Sequence, residues 1–373
     1  MSRSDRRTGG RDVAFATTIA DSMESFVEPV AQRMADMGYR VHLITGDRPT
    51  SASFDHESHV IPMQRGISAT DDTRSLRAWV HRLRDIRPGM VVAGTPKASL
   101  LGMLAARTVG VPARVYVMHG AVWDGATGTR RRVLETTERI TIRASTDQLA
   151  VSDSLARLVH TRGLAPRMPD VLGSGSFSGV DLARFHPAEG AHAPAGSICF
   201  VGRVNRDKGI DVLIRTFNRV SDRVDAHLTV VGGLDESAPP EAAVMAQLTT
   251  HPGITWVGEV TDVPAYLRAS RVLLFPTSRE GLGQVALEAQ ACGVPVVSWR
   301  VTGVVDAVRD GFTGTLVGFG DEAGLAEAVV RLLTDEAHHR RLAANARLWT
   351  AQQFASATVA ARTADYLASR LTA

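Results

Sequence analysis

The sequence predicts an α/β protein built as two doubly wound domains, each a parallel sheet covered by helices on both faces. Short apolar runs with strand character alternate with amphipathic helical stretches, and the alternation occurs twice. Between the two rounds lies a break rich in Pro, Ala and Gly, from Phe185-His186-Pro187 to Ala193-Pro194-Ala195-Gly196. The polar and glycine-bearing motifs fall just past the C-terminal ends of predicted strands, where sheets of this kind bind ligands.

In the first half, apolar runs predict strands at 13–17, 40–45, 90–93, 114–118 and 148–152. Helical spacing of apolar residues marks 26–37 and 98–109, and a further helix carries Leu76, Trp79, Val80, Leu83 and Ile86 on one face. In the second half, strands are predicted at 197–202, 227–231, 254–257, 272–275 and 294–298, with helices at 212–220 and 325–333. From residue 336 on no strand pattern remains, and the stretch reads as one or two Ala- and Arg-rich helices packed on the body. The expected organisation is a loose tail at 1–10, a first domain at 11–185, a linker at 186–196, a second domain at 197–350 and a closing helix at 351–373.

With 373 residues, 44% of them apolar and 22% charged, the chain has enough material for two ordinary cores. It has no run of about 18 apolar residues, so no membrane-spanning helix is expected. Residues 1–11 are polar and arginine-rich, unlike a secretory leader. The two cysteines, Cys199 in an apolar strand and Cys292 at a helix end, have no metal-ligand neighbours and read as packing residues in a reducing cytoplasm.

Net charge is +3 and unevenly spread: residues 1–180 hold 24 Lys/Arg against 18 Asp/Glu, residues 181–373 hold 18 against 21. Arg74, Arg77, Arg82, Arg84 and Arg87 lie on the predicted helix away from its apolar face, and Arg130-Arg131-Arg132 follows. Such a face is either simply solvated or meets anionic lipid headgroups or a phosphorylated acceptor. Nucleic-acid binding is not supported, because no aromatic interleaving and no binding module accompanies the charge.

The densest motif is Ser278-Arg279-Glu280-Gly281-Leu282-Gly283-Gln284-Val285-Ala286-Leu287-Glu288, placed between a buried strand and a helix. Glu280 sits at the strand's C-terminal end, and the helix N-terminus offers free amides that suit an anion. At about 1.5 Å per residue, Glu288 lies roughly 7–8 Å along the helix from those amides. That spacing fits a nucleoside diphosphate-sugar, with phosphate at the amides, ribose hydroxyls at one carboxylate and sugar hydroxyls at the other. Two solvated glutamates beside a tight turn would give the same pattern. Lysine points to the same chemistry. Of 42 Lys and Arg only Lys97 and Lys208 are lysine. A compact ammonium suits a phosphate in a tight space, where arginine's planar fork does not. Lys208 and Arg203 share the strand–loop–helix segment Phe200-Val201-Gly202-Arg203-Val204-Asn205-Arg206-Asp207-Lys208-Gly209. Lys97, in Gly94-Thr95-Pro96-Lys97, and His119, in Met118-His119-Gly120, hold the corresponding edge of the first domain. If the two domains face each other, these groups line one cleft.

These residues resemble the family 4 glycosyltransferases, which adopt the GT-B fold of two Rossmann-like domains and use nucleotide-sugar donors. The resemblance covers nearly the whole chain. It is strongest in the segments of Arg203 and Lys208, Gly232-Gly233, Trp256-Val257-Gly258 and 275–314. Thr95-Pro96-Lys97-Ala98, Met118-His119-Gly120, Thr137-Glu138-Arg139, Gly173-Ser174-Gly175-Ser176 and Gly179-Val180-Asp181 look most like bacterial enzymes of capsule, exopolysaccharide and lipid-linked oligosaccharide assembly. Glu280 and Glu288 match the family's paired glutamates. The resemblance implies that Glu280 holds donor-sugar hydroxyls and Glu288 the ribose. It implies that Arg203, Lys208 and the amides of Gly281, Leu282 and Gly283 carry the diphosphate, with Gly233 and Val260 also at the donor. It implies that His119 reaches the sugar near the reacting carbon, and it places Lys97 and Thr18 on the acceptor side. The family's reaction retains anomeric configuration and uses no metal, in keeping with a sequence that offers no His/Asp cluster at ligand spacing.

One departure stands out. Many family members have adjacent glycines after the first strand, whereas here the loop is Thr17-Thr18-Ile19-Ala20-Asp21-Ser22-Met23. A bulky phosphate seated directly on that backbone is not expected. The expected activity is transfer from a UDP-sugar to a lipid-linked or polysaccharide acceptor, cytoplasmic and with peripheral contact at the inner membrane face as an option. A natural-product acceptor and a GT-B sugar-nucleotide epimerase or hydrolase are the alternatives. A nicotinamide oxidoreductase is excluded because no G-x-G-x-x-G follows the first strand.

Overall fold

The computed structural model of the chain describes residues 10–64, 66, 68–187, 190 and 193–371. Apart from Gly10, the tail expected at 1–10 lies outside the described residues. The chain divides into two compact units, one holding the residues up to Gly179 and from Ser356 on, the other Val180–Ala355.

The first unit is a six-stranded parallel sheet with strands β1 (Asp12–Ala16), β2 (Arg40–Thr45), β3 (Glu57–Val60), β4 (Met90–Ala93), β5 (Ala113–Met118) and β6 (Asp147–Ala150). Its helices are α1 (Ala20–Phe26), α2 (Glu28–Asp36), α3 (Ala69–Ile86), α4 (Pro96–Val109), α5 (Gly128–Ala144) and α6 (Asp153–Thr161). In space the strands run β3-β2-β1-β4-β5-β6. β1 and β4 are buried along their whole length, as apolar strands covered on both faces must be. The strand order reverses between β1 and β4, which opens a crevice at their C-terminal ends.

The second unit repeats the plan. Its strands are β7 (Ser197–Val201), β8 (His227–Val231), β9 (Ile254–Gly258), β10 (Val272–Phe275), β11 (Val296–Trp299) and β12 (Gly314–Val317). Their order is β12-β11-β10-β7-β8-β9, which puts the reversal between β7 and β10. Helices α7 (Ile210–Ser221), α8 (Ala242–Thr250), α9 (Val263–Arg268), α10 (Gln284–Ala291), α11 (Val304–Ala307), α12 (Glu322–Thr334) and α13 (Glu336–Phe354) complete it.

Two boundaries differ from the sequence reading. The described residues of the break at 186–196 belong to the second unit, and the division falls earlier, after Gly179. Pro187, Ala193 and Pro194 lie in irregular backbone, yet the chain just before the break is fastened to that unit. Phe185 is buried, Arg184 donates to the Thr261 carbonyl at 2.8 Å, and Arg268 donates to the Arg184 carbonyl at 3.4 Å. The closing helix, α14 (Ser356–Leu371), returns to the first unit. There Thr363 donates to the Phe177 carbonyl at 3.0 Å and Tyr366 to Asp170 at 2.9 Å. Two strands were also missed, β3 and β12, both at sheet edges. β3 reads Glu-Ser-His-Val and is largely exposed, so it carries no apolar run to betray it.

Candidate functional site

The second unit's crevice is made by the loops after β7 and β10. The β7 loop ends in a short 3-10 turn, Arg206–Lys208, capped by the Asn205 side chain, which accepts from the Lys208 amide at 3.0 Å. Gly209 then starts α7 with φ 69°, and a Cβ there would stand 2.2 Å from the Pro276 carbonyl oxygen. Only glycine both adopts this backbone and lets the two loops approach so closely.

That approach brings Lys208 and Glu280 together. The Lys208 ammonium donates to Glu280 Oε1 at 2.5 Å, and the buried Thr277 hydroxyl donates to the same oxygen at 2.9 Å. Both side chains are mostly shielded, Lys208 at 19% exposure and Glu280 at 15%, and the ammonium lies 5.6 Å from the centre of the Phe275 ring. A second clasp holds the loops in register: Arg279 donates to the Asp207 carboxylate at 2.7 Å, and the Asp207 carbonyl accepts from the Ser278 amide at 3.1 Å and hydroxyl at 2.9 Å. Asn205, Asp207 and Thr277 were not singled out in the sequence. Their polar types at strand-end loops were the available signal.

Beyond Glu280 the chain turns through Gly281, Leu282 and Gly283 into α10. The Glu280 amide is taken by the Thr302 carbonyl at 3.1 Å, whereas the Leu282 and Gly283 amides have no hydrogen-bond partner among the described residues. Glu288 lies one turn into α10 and is partly exposed. Desolvation by the surrounding protein raises its carboxyl to about 7, against the lowering influence of the Arg184 charge and the Gln284 side chain. Arg203 is the outlier: its side chain is 62% exposed, and its guanidinium pairs with Asp235, which also accepts from Asn205 at 3.1 Å. Gly233 lies in the loop after β8, where its carbonyl accepts from the Val204 amide at 2.8 Å, and half-buried Val260 follows β9.

In the first unit the switch-point loops also clasp one another. Thr95, at the head of α4, accepts from the Thr18 amide at 2.7 Å, and the two hydroxyls share a 2.8 Å hydrogen bond. His119, just past β5, lies between Phe26 and Phe177, each with its ring centre 5.9 Å away. A Cβ at Gly94 would stand 2.6 Å from the imidazole, so the ring rests on bare backbone. Desolvation lowers the His119 pKa to about 4, which keeps the imidazole neutral at physiological pH. Lys97 is engaged elsewhere, in a largely buried pair with Asp72 of α3 at 2.6 Å. A cavity of about 650 Å³, lined by Arg84, Arg87, Val111 and Arg370 among others, opens at the opposite, N-terminal edge of this sheet and contains none of these groups.

Known proteins agree with this plan. Residues 195–335 match the family model described as glycosyl transferases group 1, and residues 23–175 match that of glycosyltransferase family 4. The chain is 34% identical over 327 residues to the capsular polysaccharide biosynthesis glycosyltransferase CapM of Staphylococcus aureus, covering 85% of this chain and 86% of that one. Among solved structures it superposes on sucrose-phosphate synthase from Thermosynechococcus elongatus with a TM-score of 0.81 at 19% identity, over 96% of this chain and 98% of that one. It superposes on Anabaena HepE in complex with UDP and glucose with a TM-score of 0.79 at 17% identity, over 96% of this chain and all of that one.

Proposed function

The chain belongs to the family 4 glycosyltransferases, and we propose that it moves a sugar from a UDP-sugar to a lipid-linked or polysaccharide acceptor, with retained anomeric configuration and no metal at the transfer site. The observation that carries the reading is the shielded Lys208–Glu280 pair beside the unpartnered Leu282 and Gly283 amides. Each charge of that pair has a natural partner in the donor. The ammonium turns to the diphosphate, and the carboxylate accepts from sugar hydroxyls. The anomeric carbon–oxygen bond breaks, its electron pair leaves on the UDP phosphate, and the acceptor oxygen bonds to the same face of that carbon. The acceptor's proton passes to the departing phosphate oxygen. The growing negative charge meets Lys208, the two amides and Arg203 once it swings from Asp235. Glu288 takes the ribose. That HepE is solved with UDP and that CapM serves capsule biosynthesis both support the choice of donor and acceptor class.

The test is consumption of UDP-, GDP- and dTDP-sugars by the purified chain, with products separated by mass and configuration. The expected result is slow hydrolysis of one UDP-sugar that disappears in Lys208→Ala and Glu280→Ala. Preference for GDP- or dTDP-sugars would overturn the donor, and release of an epimerised sugar nucleotide would overturn transfer.

A further inference from the structure

We propose that His42, Glu57 and His59 form a binding site for a zinc-like transition-metal ion on the face of the first unit's sheet, with Asp12 as its outer-shell support. This site is separate from the switch-point loops, because its residues lie on β1, β2 and β3 themselves. The strand register builds it. His42 pairs with Glu57, Ile44 with His59, and Ala14 with His42. Since side chains alternate along a strand, Asp12, His42, Glu57 and His59 all fall on one face. The sequence hides the set, because the two histidines lie on different strands 17 residues apart.

The three candidate ligand atoms form a compact triangle. His42 Nδ1 is 3.1 Å from His59 Nε2 and 3.5 Å from Glu57 Oε2, and His59 Nε2 is 4.0 Å from the same oxygen. Zinc bonds to nitrogen and oxygen of about 2.0–2.2 Å in a tetrahedron put neighbouring ligands roughly 3.3–3.5 Å apart. Small side-chain adjustments therefore bring all three onto one ion. The outer shell is already in place: His42 Nε2–H donates to Asp12 Oδ1 at 2.9 Å, and Arg40 donates to the same carboxylate at 2.7 and 3.0 Å. A carboxylate on one ring nitrogen turns the other toward the metal, as metal-bound histidines require.

Two imidazoles and one carboxylate select zinc-like ions over magnesium or calcium. The charges facing the set are Asp12 and Glu57 against Arg40 on β2 and Arg82 on α3. That balance calls for an anionic fourth ligand, hydroxide or chloride, on the side where Glu57 is open to solvent. Without the ion, one imidazole donates to the other. Metal binding replaces this hydrogen bond, and the displaced ring proton moves to the outer nitrogen of His59. The consequence is structural: an ion here ties the polar edge strand β3 to buried β2.

The experiment uses the full chain, stripped with chelator and titrated with zinc chloride by calorimetry, with magnesium chloride as the control. The expected result is one equivalent of zinc, no magnesium binding, a tetrahedral visible spectrum with cobalt, and a melting temperature several degrees higher with metal. His59→Gln and Glu57→Gln, both on the accessible edge strand, should each weaken zinc binding at least tenfold, while His81→Gln leaves it unchanged. Absence of saturable zinc binding, or one equivalent bound equally well by His59→Gln and Glu57→Gln, overturns the proposal.

Discussion

Replacing Lys208 tests the transfer site most directly. Its ammonium is shielded, 19% exposed, and is held by Glu280 at 2.5 Å. Two unit charges about 4 Å apart at an effective dielectric near 20 attract by about 4 kcal/mol, and this is the scale of its pull on a leaving phosphate. Part is offset, because the ammonium must give up Glu280 when the donor enters. Removing one group aimed at developing charge costs about 2.7–4 kcal/mol, so Lys208→Ala should lose 10²–10³ in kcat/KM. Lys208→Arg should lose at least about tenfold, because a broad, delocalised guanidinium replaces the compact point charge held by Glu280 and faces the phosphate differently. Stability will move less: Glu280 keeps the Thr277 hydroxyl at 2.9 Å, and losing one buried partner costs about 1–3 kcal/mol. The assay is initial-rate UDP-sugar turnover, with a thermal melt confirming that each variant is folded. Full activity in Lys208→Arg, or a loss under about threefold in a folded Lys208→Ala, would refute the reasoning.

The two glutamates should separate by calorimetry with free UDP: Glu288→Ala loses affinity, while Glu280→Ala binds nearly normally but turns over slowly, and equal losses would contradict their roles. Because the Glu288 carboxyl is raised to about 7, the affinity advantage of the native chain over Glu288→Gln should grow as pH rises through 7; a constant ratio would count against a ribose-binding carboxylate. Glu138, buried under the Tyr116 hydroxyl at 2.9 Å and likewise raised to about 7 by desolvation, makes a stability prediction. Between about pH 4.5 and 7 this carboxyl holds more proton in the folded chain than in the unfolded one, so its own contribution to stability falls with rising pH, and the stability of the native chain relative to Glu138→Gln in denaturant titrations should fall across that window. Sugar transfer at 25 °C should survive EDTA; loss of turnover restored by magnesium or manganese would remove the metal-free mechanism. The exposed arginines on α3 and at its C-terminal cap should bind anionic liposomes at low salt, at about 1 kcal/mol per residue, and flotation should weaken with salt and in the Arg77, Arg84 and Arg87 glutamine triple variant.

Local pattern was enough to reveal much of this protein. The apolar runs of β1, β4, β7 and β10 are buried strands because they must be covered on both faces, and their period is visible without any partner. The motifs with Lys208 and Glu280 after β7 and β10, and with His119 after the equally apolar β5, could be placed at the carboxyl ends for the same reason. What needed tertiary structure is what depends on pairing between distant segments. β10 lies beside β7 in register, Val272 against Ile198, and only this brings Lys208 within reach of a carboxylate 72 residues away. Arg203 reads as a free phosphate ligand in its own segment, yet the loop after β8 supplies Asp235 to hold it. Lys97 likewise finds Asp72 on α3. β3 has no hydrophobic period to announce it, and it becomes a strand because β2 offers a free edge. The pairing of Glu57 and His59 with His42 exists only in that register. Periodicity is a property of one segment, whereas register and loop contact belong to two, and no reading of either segment alone contains them.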